Sequence, residues 1–332
     1  MAPADHDVPR AGVLVTPLGT PAAPDRQALR AYLCQLLSDP RVVDLNPVLW
    51  KLLLRLIILP LRSARAAARY RAIWTSAGSP LLVHSRAQVN GLRERLGDGF
   101  MVVLGMRYGE PSLAYAMAQL NGAGIGRILV FPMFPQFSCS TTGSVYAAAF
   151  RAADGKRWTP ALRYVPPHHD DPGYLQALCQ TIRDHISASG TEPDRHLFSF
   201  HSLPQRYVDE GDPYLEHCRT TAHRLAQALG LHDHQWALSF HSRFGREQWL
   251  QPATDDLLRR WGKDRQGRVL VTCPGFTADC LETLDDIGVA ARQVYIQAGG
   301  EALERVPCLN AHPAWLDAMA AMVRRETAGW ME

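Results

Sequence analysis

Short apolar segments alternate with longer amphipathic ones along the chain, and this alternation constrains the fold more than any other feature. The apolar, β-branched runs predict four strands in each half of the chain, at residues 11–17, 100–106, 127–133, 161–165, 195–201, 235–240, 267–272 and 293–297. Helical periodicity lies between them, for example at residues 84–96, 112–122, 173–188, 213–229 and 252–261. Strands that alternate with helices are typical of doubly wound parallel sheets. The sequence therefore predicts an α/β fold of two similar doubly wound domains, each with a four-stranded parallel sheet, and a cleft between them.

Length and composition are those of an ordinary globular protein. The 332 residues favour two domains, each large enough to bury its own core. The chain is 47% hydrophobic and 20% charged, and its net charge of +3 is too small to indicate binding to nucleic acid. We therefore expect no nucleic-acid partner.

Cysteine usage and the chain's apolar runs bear on the cellular compartment. The cysteines form no CxxC pair, which disfavours a disulfide framework or a zinc ribbon; they are Cys34, Cys139, Cys179, Cys218, Cys273, Cys280 and Cys308. The first residues, MAPADHDVPRAG, lack the basic and apolar regions of a signal peptide. The longest apolar run, residues 47–61, is interrupted by charges and is shorter than the roughly 20 residues of a membrane helix. We expect a cytoplasmic protein.

Two carboxylates follow the strand predicted at residues 267–272. Residues 273–276 are typical of a turn, and helical periodicity begins at Asp279. Glu282 and Asp286 are four residues apart, so one helical face presents both. Because ligands bind at the carboxyl ends of parallel strands, both acids are candidate site residues. The alternative is an ordinary solvated helix start, since acids favour the first turn.

A histidine ends another predicted strand. His201 is the last residue of the segment 195–201, shortly before a turn marked by Pro204, and would face the same crevice. A lone histidine at a strand end is more often a hydrogen-bonded structural residue than a ligand, so Glu282 is needed to make His201 a strong candidate. The tetrapeptide SFHS at 199–202 recurs at 239–242, and we interpret that repeat as a coincidence.

Ten short motifs extend these two segments in a fixed order across residues 11–311. They are LGTP at 18–21, LSDP at 37–40, GSPLL at 78–82, MRYG at 106–109, PQFS at 135–138 with TTGS at 141–144, HSLP at 201–204, SRFGRE at 242–247, CPGFTADCLE at 273–282, AGGE at 298–301 and PCLN at 307–310. In these motifs the chain resembles the ferrochelatases, most of all their proteobacterial branch. The resemblance implies a lyase of haem biosynthesis that inserts ferrous iron into protoporphyrin IX to give protohaem.

The resemblance also implies a domain organisation. An N-terminal α/β domain would span residues 9–163, with an apolar and basic lip at about 45–75. A C-terminal α/β domain that carries the catalytic residues would span 164–311, and a helix within 312–330 would pack back on the first domain. The expected binding partners are the substrates, protoporphyrin IX and Fe2+, and we expect a monomer.

The family resemblance assigns chemistry to particular residues. His201 and Glu282 would be catalytic, because metallation removes two pyrrole protons and imidazole both accepts protons and binds ferrous iron. His201, Glu282 and Asp286 would also contact the metal. Four residues match porphyrin-pocket motifs and are expected porphyrin contacts: Arg107, Tyr108, Ser138 and Thr142.

Several positions depart from the family pattern. Ferrochelatases often carry a third acid where this chain has Ala290, which makes a three-carboxylate relay doubtful. Ser202 stands where glycine is usual and would alter the turn if that backbone prefers a positive φ. Phe137 replaces tyrosine, Cys280 stands where some members have histidine, and His241 stands where glutamine is usual. The changes at 137, 202 and 280 touch the expected pocket, so porphyrin fit or activity could differ.

Some ferrochelatases hold a 2Fe–2S cluster with one internal cysteine and three in a C-terminal tail. Cys139 matches the internal ligand, but no cysteine occurs in the 24 residues after Cys308, so four-thiolate ligation by that scheme is impossible. We expect no iron–sulfur cluster and no cofactor beyond the substrate Fe2+. Cys139 is then expected to be a small buried apolar residue.

The segment from residue 45 to residue 93 has no acid and eight basic residues, interleaved with leucine and isoleucine. One interpretation is a basic amphipathic helix packed on its own domain. The other is a surface that rests on anionic lipid and covers an apolar ligand. The resemblance favours the second, because the corresponding segment forms the lip of the porphyrin pocket, with arginines available for the propionates. We expect peripheral contact with the inner face of the membrane.

Two other functions stay open. A non-catalytic haem or porphyrin carrier would keep the cleft while the changes at Ser202, His241 and Ala290 lower turnover, although the retained His201 and Glu282 disfavour it. A chelatase that acts on coproporphyrin III, which has four carboxylates, would need more basic groups in the pocket than the apolar lip suggests.

Overall fold

A computed structural model describes residues 10–155, 157–243, 245 and 247–330. Two residues of the SRFGRE motif, Phe244 and Arg246, lie outside the described residues, as does the polar start of the chain. The described chain divides into two compact units. Unit 1 holds the chain up to Met133, the segment Cys139–Pro166 and the chain from Leu316 onward, and unit 2 holds Phe134–Ser138 and Pro167–Trp315.

Within the described residues, each unit is built on a four-stranded parallel sheet. The strands of unit 1 are β1 Ala11–Thr16, β2 Phe100–Leu104, β3 Arg127–Pro132 and β4 Ala161–Tyr164, in the order β2-β1-β3-β4. The strands of unit 2 are β5 Arg195–His201, β6 Trp236–His241, β7 Arg268–Thr272 and β8 Ala302–Arg305, in the order β8-β7-β5-β6. When the strands are numbered from one within each unit, both sheets have the order 2-1-3-4. The predicted α/β fold with two similar parallel sheets is confirmed.

Helices separate the strands and begin where the sequence supplies caps. The α-helices are α1 Arg26–Leu37, α2 Pro47–Leu53, α3 Leu59–Ile73, α4 Pro80–Leu96, α5 Leu113–Gly122, α6 Ser144–Ala153, α7 Pro172–Ser189, α8 Gln205–Asp209, α9 Tyr214–Leu229, α10 Thr254–Lys263, α11 Arg292–Gln297 and α12 Pro313–Glu326. The side chains of Asp25, Asn46, Ser112 and Asp171 accept hydrogen bonds from amides of the first turns of α1, α2, α5 and α7. Proline occupies the first position of α2, α4 and α7, where its missing N–H costs nothing.

Three segments form π-helices, in which residue i bonds to residue i+5 rather than i+4. They are Leu54–Ile58 between α2 and α3, Cys139–Gly143 before α6, and Glu282–Ala291 before α11. A short 3₁₀ turn, Asp233–Gln235, precedes β6. The third π-helix carries the acids that the sequence marks as candidate site residues.

The strand predicted at residues 293–297 is wrong. This segment lies in α11, which continues the π-helix and buries Tyr295 in the core of unit 2. Its β-branched residues are also typical of a strand, because a buried strand and a buried helix both carry apolar side chains. The fourth strand of the sheet is β8, which lies at the sheet edge with β7 as its neighbour. An edge strand needs no continuous apolar run, and the sequence ALER gives little strand signal.

The last helix of the chain packs within unit 1. A side-chain carbon added at Gly91 of α4 would overlap Leu316 of α12, so this glycine permits the two helices to approach. Arg95 pairs with Asp317 at 2.5 Å, and the Arg324 guanidinium donates to the Arg95 carbonyl. These contacts join residues more than two hundred positions apart in sequence into one α/β unit.

Gly19 marks the tightest backbone approach in unit 1. The two-residue strands Gly19–Thr20 and Tyr108–Gly109 pair in parallel, and Gly19 has a φ of 115°. A side chain at Gly19 would overlap the Tyr108 carbonyl oxygen, which is rigid backbone. The position therefore requires glycine both for its φ and for its lack of a side chain.

We expect Gly19→Ala to lower the free energy of unfolding by about 2–4 kcal/mol, because it adds both backbone strain and a clash with rigid backbone. Gly122→Ala is the matched control, since a side-chain carbon there meets nothing within 4 Å. The control should be neutral or stabilising by up to about 1 kcal/mol. Chemical denaturation of both variants measures the difference, and equal effects would contradict the proposed role of Gly19.

Candidate active site

The carboxyl ends of β5 and β6 bring two histidines together. The strands pair in parallel with residues 199–201 opposite residues 239–241, so the two SFHS segments lie side by side in register. The ring centroids of His201 and His241 are 5.9 Å apart, and the ring planes are tilted by 70°. The amide of Ser202 donates to the His241 carbonyl at 2.8 Å and continues the pairing past the strand ends.

The hydrogen bonds of His201 define its tautomer. Its Nδ1 lies 2.7 Å from the Ser202 carbonyl oxygen, which can only accept. Nδ1 therefore carries a proton, and when the ring is neutral the lone pair is on Nε2. The Tyr214 hydroxyl donates to the His201 carbonyl at 2.9 Å and holds the backbone. The side chain is partly exposed, so Nε2 can serve as a base or as a metal ligand.

His241 is more deeply enclosed than His201. It is 5% exposed, its Nδ1 lies 2.8 Å from the Ser199 hydroxyl, and its ring stacks on Phe276 at 5.5 Å between centroids. Burial, followed by the nearby His201, holds the pKa of His241 well below its ordinary value of 6.5, so the ring is neutral. Its Nε2 atom is buried and has no protein partner.

Glu282 and Asp286 lie on the π-helix Glu282–Ala291. Because a turn of this helix holds more than four residues, two residues four apart lie on the same side and nearly one turn apart. The Ser242 hydroxyl donates to Asp286 Oδ2 at 2.6 Å, which joins the π-helix to the end of β6. Glu282 and Asp286 are both partly exposed, as acids in a reactive site must be.

A buried carboxylate anchors the start of the π-helix. Asp279 is 5% exposed and accepts hydrogen bonds from Arg305 at 2.7 Å, Thr283 at 3.0 Å and Asn310 at 2.9 Å. Arg305 is the last residue of β8, and Thr283 lies in the first turn of the π-helix. These bonds tie the helix that carries Glu282 to the edge of the sheet.

The neighbour of Glu282 is a buried thiol. Burial, followed by the carboxylate of Glu282, raises the pKa of Cys280 well above its ordinary value of 9.0. The thiol is therefore protonated at neutral pH and contributes no negative charge beside Glu282. Cys280 is thus a neutral, compact neighbour of Glu282.

Ser202 does not have a positive φ, so its side chain does not strain the backbone there. Among the described residues, the non-glycine positions with positive φ are Ser242, Arg265 and Asn310. The strained backbone lies at the equivalent position of the second SFHS segment, where Ser242 has a φ of 64°. Ser202 is fully buried, and its hydroxyl oxygen has no protein partner.

Two of the expected porphyrin contacts lie in a buried network of unit 1. Asp39 Oδ2 accepts from the Arg107 guanidinium at 2.5 Å, from the Tyr108 hydroxyl at 2.8 Å and from the Ser144 hydroxyl at 2.6 Å. Burial alone raises the pKa of Asp39, but the hydrogen bonds from Ser144, the Arg41 amide and Tyr108, with the charge of Arg107, outweigh it and lower that pKa below 3.8. The LSDP motif thus supplies the anion that fixes the MRYG motif.

The other two expected contacts are also enclosed. The Ser138 hydroxyl donates to Asp212 at 2.9 Å in unit 2, and Thr142 is 1% exposed within the π-helix Cys139–Gly143 of unit 1. Cys139 was expected to be buried, and this expectation is wrong. Its side chain is exposed and its sulfur accepts a hydrogen bond from the Arg41 guanidinium at 3.0 Å. The π-helix turns Cys139 outward while it buries the two residues Ser140 and Thr142.

The basic and apolar segment forms a surface of its own, which we call the lip. It consists of Leu45, α2, the π-helix Leu54–Ile58 and the first turn of α3. Its inner side is anchored by Leu54 and Leu59, which pack with Leu37 of α1, and by a hydrogen bond from the Trp50 indole to the Leu37 carbonyl at 2.6 Å. Its outer side leaves large apolar residues between 41% and 76% exposed: Leu45, Val48, Leu49, Leu52, Leu53, Leu56, Ile57 and Leu61. A patch of this kind marks an interaction surface.

Within the described ranges, no three His, Cys, Asp or Glu side chains are grouped so that they could hold one metal ion. The same part of the chain contains no helix that is long and apolar enough to cross a membrane.

The fold is similar to that of solved chelatase structures. The SirB structure from Bacillus subtilis with Fe3+ matches with a TM-score of 0.59 over 96% of each chain, at 12% identity. The sirohydrochlorin chelatase SirB from Bacillus subtilis subspecies spizizenii, in complex with cobalt, matches with a TM-score of 0.57 over 95% of this chain and 94% of that chain, at 11% identity. At these identities the likeness is one of fold.

Sequence comparison is more specific. The ferrochelatase family matches residues 10–327. Curated ferrochelatases are 46% identical in Azoarcus sp. strain BH72 (97% of this chain, 89% of the relative), 44% in Alcanivorax borkumensis (98% and 97%), and 46% in Escherichia coli strain K12 (95% and 98%). The chain belongs to the ferrochelatase family, the metal chelatases that insert iron into porphyrin for haem biosynthesis.

The sequence predicted no role for three residues described above, Asp39 in unit 1 and Asp279 and His241 in unit 2. Asp39 and Asp279 lie within motifs, but nothing in a sequence shows that a carboxylate is buried beside an arginine. His241 did leave a signal, because the repeated SFHS segment places a second histidine at the end of the strand that follows β5. Because β5 and β6 pair in parallel and in register, the two histidines of the repeat lie side by side.

We expect Asp39→Asn to lower the free energy of unfolding at neutral pH by about 1–3 kcal/mol, because Arg107 loses its buried counter-charge. The lowered pKa of Asp39 means that its carboxylate stabilises the fold above pH 3.8 and that this contribution is lost as pH falls through the folded-state value. The gap between parent and variant should therefore narrow below about pH 4. Denaturant titrations across pH measure it, with the exposed Asp98→Asn as control. A gap that does not change with pH would show that the charge of Asp39 is unimportant.

Proposed function

We propose that this enzyme inserts ferrous iron into protoporphyrin IX and releases protohaem, in the cytoplasm. The observation that carries the proposal is the state of His201, whose Nδ1 proton is held by the Ser202 carbonyl so that its Nε2 lone pair is available. Glu282 and Asp286 supply two carboxylates on the π-helix of the same unit. A neutral base, a ligand for a borderline metal ion and anionic proton acceptors are the groups that porphyrin metallation requires.

The proposed roles follow from the order of proton and metal transfer. Two pyrrole protons must leave the macrocycle before its nitrogens can bind the metal, and the ion must lose water. His201 accepts a pyrrole proton at Nε2, and Glu282 acts as the next proton acceptor or hands over the ion. Asp286, nearly one turn further on, extends this acidic path. Ala290 ends the path, because a methyl group carries neither a proton nor a metal ion.

We further propose that the side chains of Arg107, Tyr108, Ser138 and Thr142 contact the porphyrin. The side chain of Arg107 is 15% exposed and is the member of this group best able to reach a propionate. The other three are almost fully buried and are held in the protein interior. Their proposed part is to shape the surface against which the macrocycle rests.

Protoporphyrin IX is the proposed substrate because the lip is apolar. Protoporphyrin carries two carboxylates and coproporphyrin III carries four. Four carboxylates need more cationic groups than a surface dominated by exposed leucines offers. A non-catalytic carrier is the weaker candidate, because a carrier needs neither a base with a free lone pair nor a neighbouring pair of acids.

The enzyme is proposed to work as a monomer without a resident cofactor. The Cys139 sulfur accepts a hydrogen bond from the Arg41 guanidinium, so the one thiol that matches a family cluster ligand already has a partner within the protein. The purified protein should therefore contain no acid-labile sulfide, and light scattering should give the mass of one chain. Sulfide at two atoms per chain would contradict the absence of a 2Fe–2S cluster.

We expect the parent protein to convert protoporphyrin IX and Fe2+ to protohaem under anaerobic conditions, measured by the loss of porphyrin fluorescence. His201→Ala and Glu282→Ala should each lower kcat by at least about 100-fold, the lower range for loss of a general acid or base. His223→Ala and Glu216→Ala, on exposed positions of α9, are the matched controls and should keep full activity.

The same assay separates the candidate functions. Coproporphyrin III should turn over with a lower kcat/KM than protoporphyrin IX, and the reverse order would overturn the proposed substrate. Tight porphyrin binding without metallation by the parent protein would make it a carrier.

We also propose that the lip rests on the inner face of the membrane. Its exposed leucines provide an apolar face, and the basic side chains Lys51, Arg55 and Arg65 beside them are exposed. This combination binds anionic interfaces through apolar burial together with attraction to lipid headgroups. An apolar substrate could then pass from lipid to enzyme without crossing water.

Vesicle sedimentation tests this proposal. The parent protein should bind vesicles that contain phosphatidylglycerol more tightly than vesicles of phosphatidylcholine alone. The double variant Leu52→Asp, Leu56→Asp should bind at least about tenfold more weakly, since it removes two side chains that are each worth roughly 1.5–3 kcal/mol when buried. Phe150→Asp, which changes an exposed apolar residue on α6, is the control and should bind like the parent. Equal binding by all three proteins would refute a lipid-facing lip.

A further inference from the structure

Three neighbouring strand ends of unit 2 each hold a buried polar atom without a protein partner. These atoms are Ser202 Oγ after β5, His241 Nε2 at the end of β6 and Thr272 Oγ1 at the end of β7. Buried polar atoms are almost always hydrogen-bonded, so three unpaired atoms at adjacent strand ends indicate a place that receives a polar guest. Of the three, the imidazole nitrogen is the one with metal-binding chemistry.

The ring of His241 is held in a fixed orientation. Its Nδ1 lies 2.8 Å from Ser199 Oγ, and that hydroxyl lies 2.8 Å from Thr254 Oγ1. Phe276 covers one ring face as a nearly parallel stack, tilted by 25°. In the tautomer in which Nδ1 donates to the Ser199 hydroxyl, Nε2 presents a lone pair, and metal-binding histidines are commonly oriented by such a bond at their other nitrogen.

The spacing of the two histidines suits a shared ion. His201 also presents an Nε2 lone pair, because the Ser202 carbonyl holds its Nδ1 proton. Two imidazoles that bind one ion at about 2.1 Å through one nitrogen each have ring centroids roughly 5–6 Å apart. The observed separation is 5.9 Å. The two rings are therefore close enough for one ion to lie between them.

We propose that His241 is a second imidazole ligand of the divalent metal substrate, which it shares with His201 before the ion enters the porphyrin. The proposal rests on the proposed function, because the ion is the substrate of that reaction. Two protein nitrogens leave the remaining coordination positions to water, to a carboxylate or to the pyrrole nitrogens, so the site holds the ion loosely enough to release it.

A second imidazole also alters metal preference. Imidazole is a borderline ligand that binds Zn2+ and Co2+ at least as well as Fe2+, and affinities rise along the series from iron to the later metals. The His201 and His241 pair therefore favours the capture of Zn2+ and Co2+ as well as iron. His241 is accordingly a residue that sets metal specificity.

Cobalt binding tests the proposal directly. The parent protein without porphyrin is titrated with CoCl2, and the visible ligand-field absorption of the bound ion is followed, with Zn2+ as competitor. The parent should bind one Co2+ per chain. His241→Asn keeps a polar group at the position of Nδ1 but removes Nε2, and it should weaken Co2+ binding at least about tenfold. His201→Asn should weaken it similarly.

A second variant tests whether weaker Co2+ binding comes only from loss of folded structure. His241→Gln keeps a polar atom near the position of Nε2 but replaces nitrogen ligation by an amide oxygen, so the ligand-field spectrum should change while the thermal unfolding midpoint stays near that of the parent. Unchanged Co2+ affinity and spectrum in both His241 variants, or no Co2+ binding by the parent, would overturn the proposal.

Turnover provides a separate measurement. With protoporphyrin IX, the ratio of kcat/KM for Zn2+ to kcat/KM for Fe2+ should fall at least about fivefold in His241→Asn, because the lost ligand favours the later metal. An unchanged ratio would overturn the role in specificity. If the parent binds Co2+ through both histidines but inserts no iron into porphyrin, the proposed function fails and the metal pair stands.

Discussion

The hydrogen bonds of the buried Asp279 carboxylate fix the part of unit 2 that carries Glu282. A charge with 5% exposure is stable only if its oxygens are fully paired, and Arg305, Thr283 and Asn310 provide that pairing from the edge strand, the π-helix and the following loop. Removal of any partner would leave a desolvated charge, so the three segments must keep one relative position. The first turn of the π-helix is thereby fixed to the sheet, and with it the position of Glu282. The start of this helix is thus held by a buried group, whereas Glu282 and Asp286 are partly exposed.

The Asp39 network plays the same part in unit 1. Arg107, Tyr108 and Ser144 all donate to one carboxylate oxygen, and the lowered pKa of Asp39 shows that these donors outweigh the cost of burial. The lip has the opposite character. It is anchored through Leu54 and Leu59 and exposes its remaining large side chains, so its stability comes from one side and its function from the other. A protein that must bind an apolar macrocycle accepts this exposure where a purely structural helix would not.

The fold was predictable from the sequence wherever burial and periodicity act together. The central strands are continuous apolar runs, and their limits in the structure differ from the prediction by at most two residues. The prediction failed at residues 293–297 because a short apolar helix behind a π-helix has the same composition as a strand, and because the true edge strand β8 is half polar. The π-helices themselves could not be foreseen, since a shift from i+4 to i+5 bonding leaves no clear pattern in composition. Among the candidate site residues, the motifs predicted His201, Glu282 and Asp286, and their roles stay predictions. The buried ion pairs depend on distances between residues far apart in sequence.

His241 shows why a repeated segment at strand ends has to be judged together with sheet topology. In an antiparallel pair the two SFHS segments would have lain at opposite ends, whereas parallel pairing in register places their histidines side by side. An unpaired nitrogen in the interior costs about 1–3 kcal/mol, and a second unpaired oxygen at Ser202 adds to that cost. A site that only needed packing would be more stable with apolar side chains at both positions. A ligand at this place would satisfy these atoms, and the cost of leaving them unpaired would be recovered when it binds.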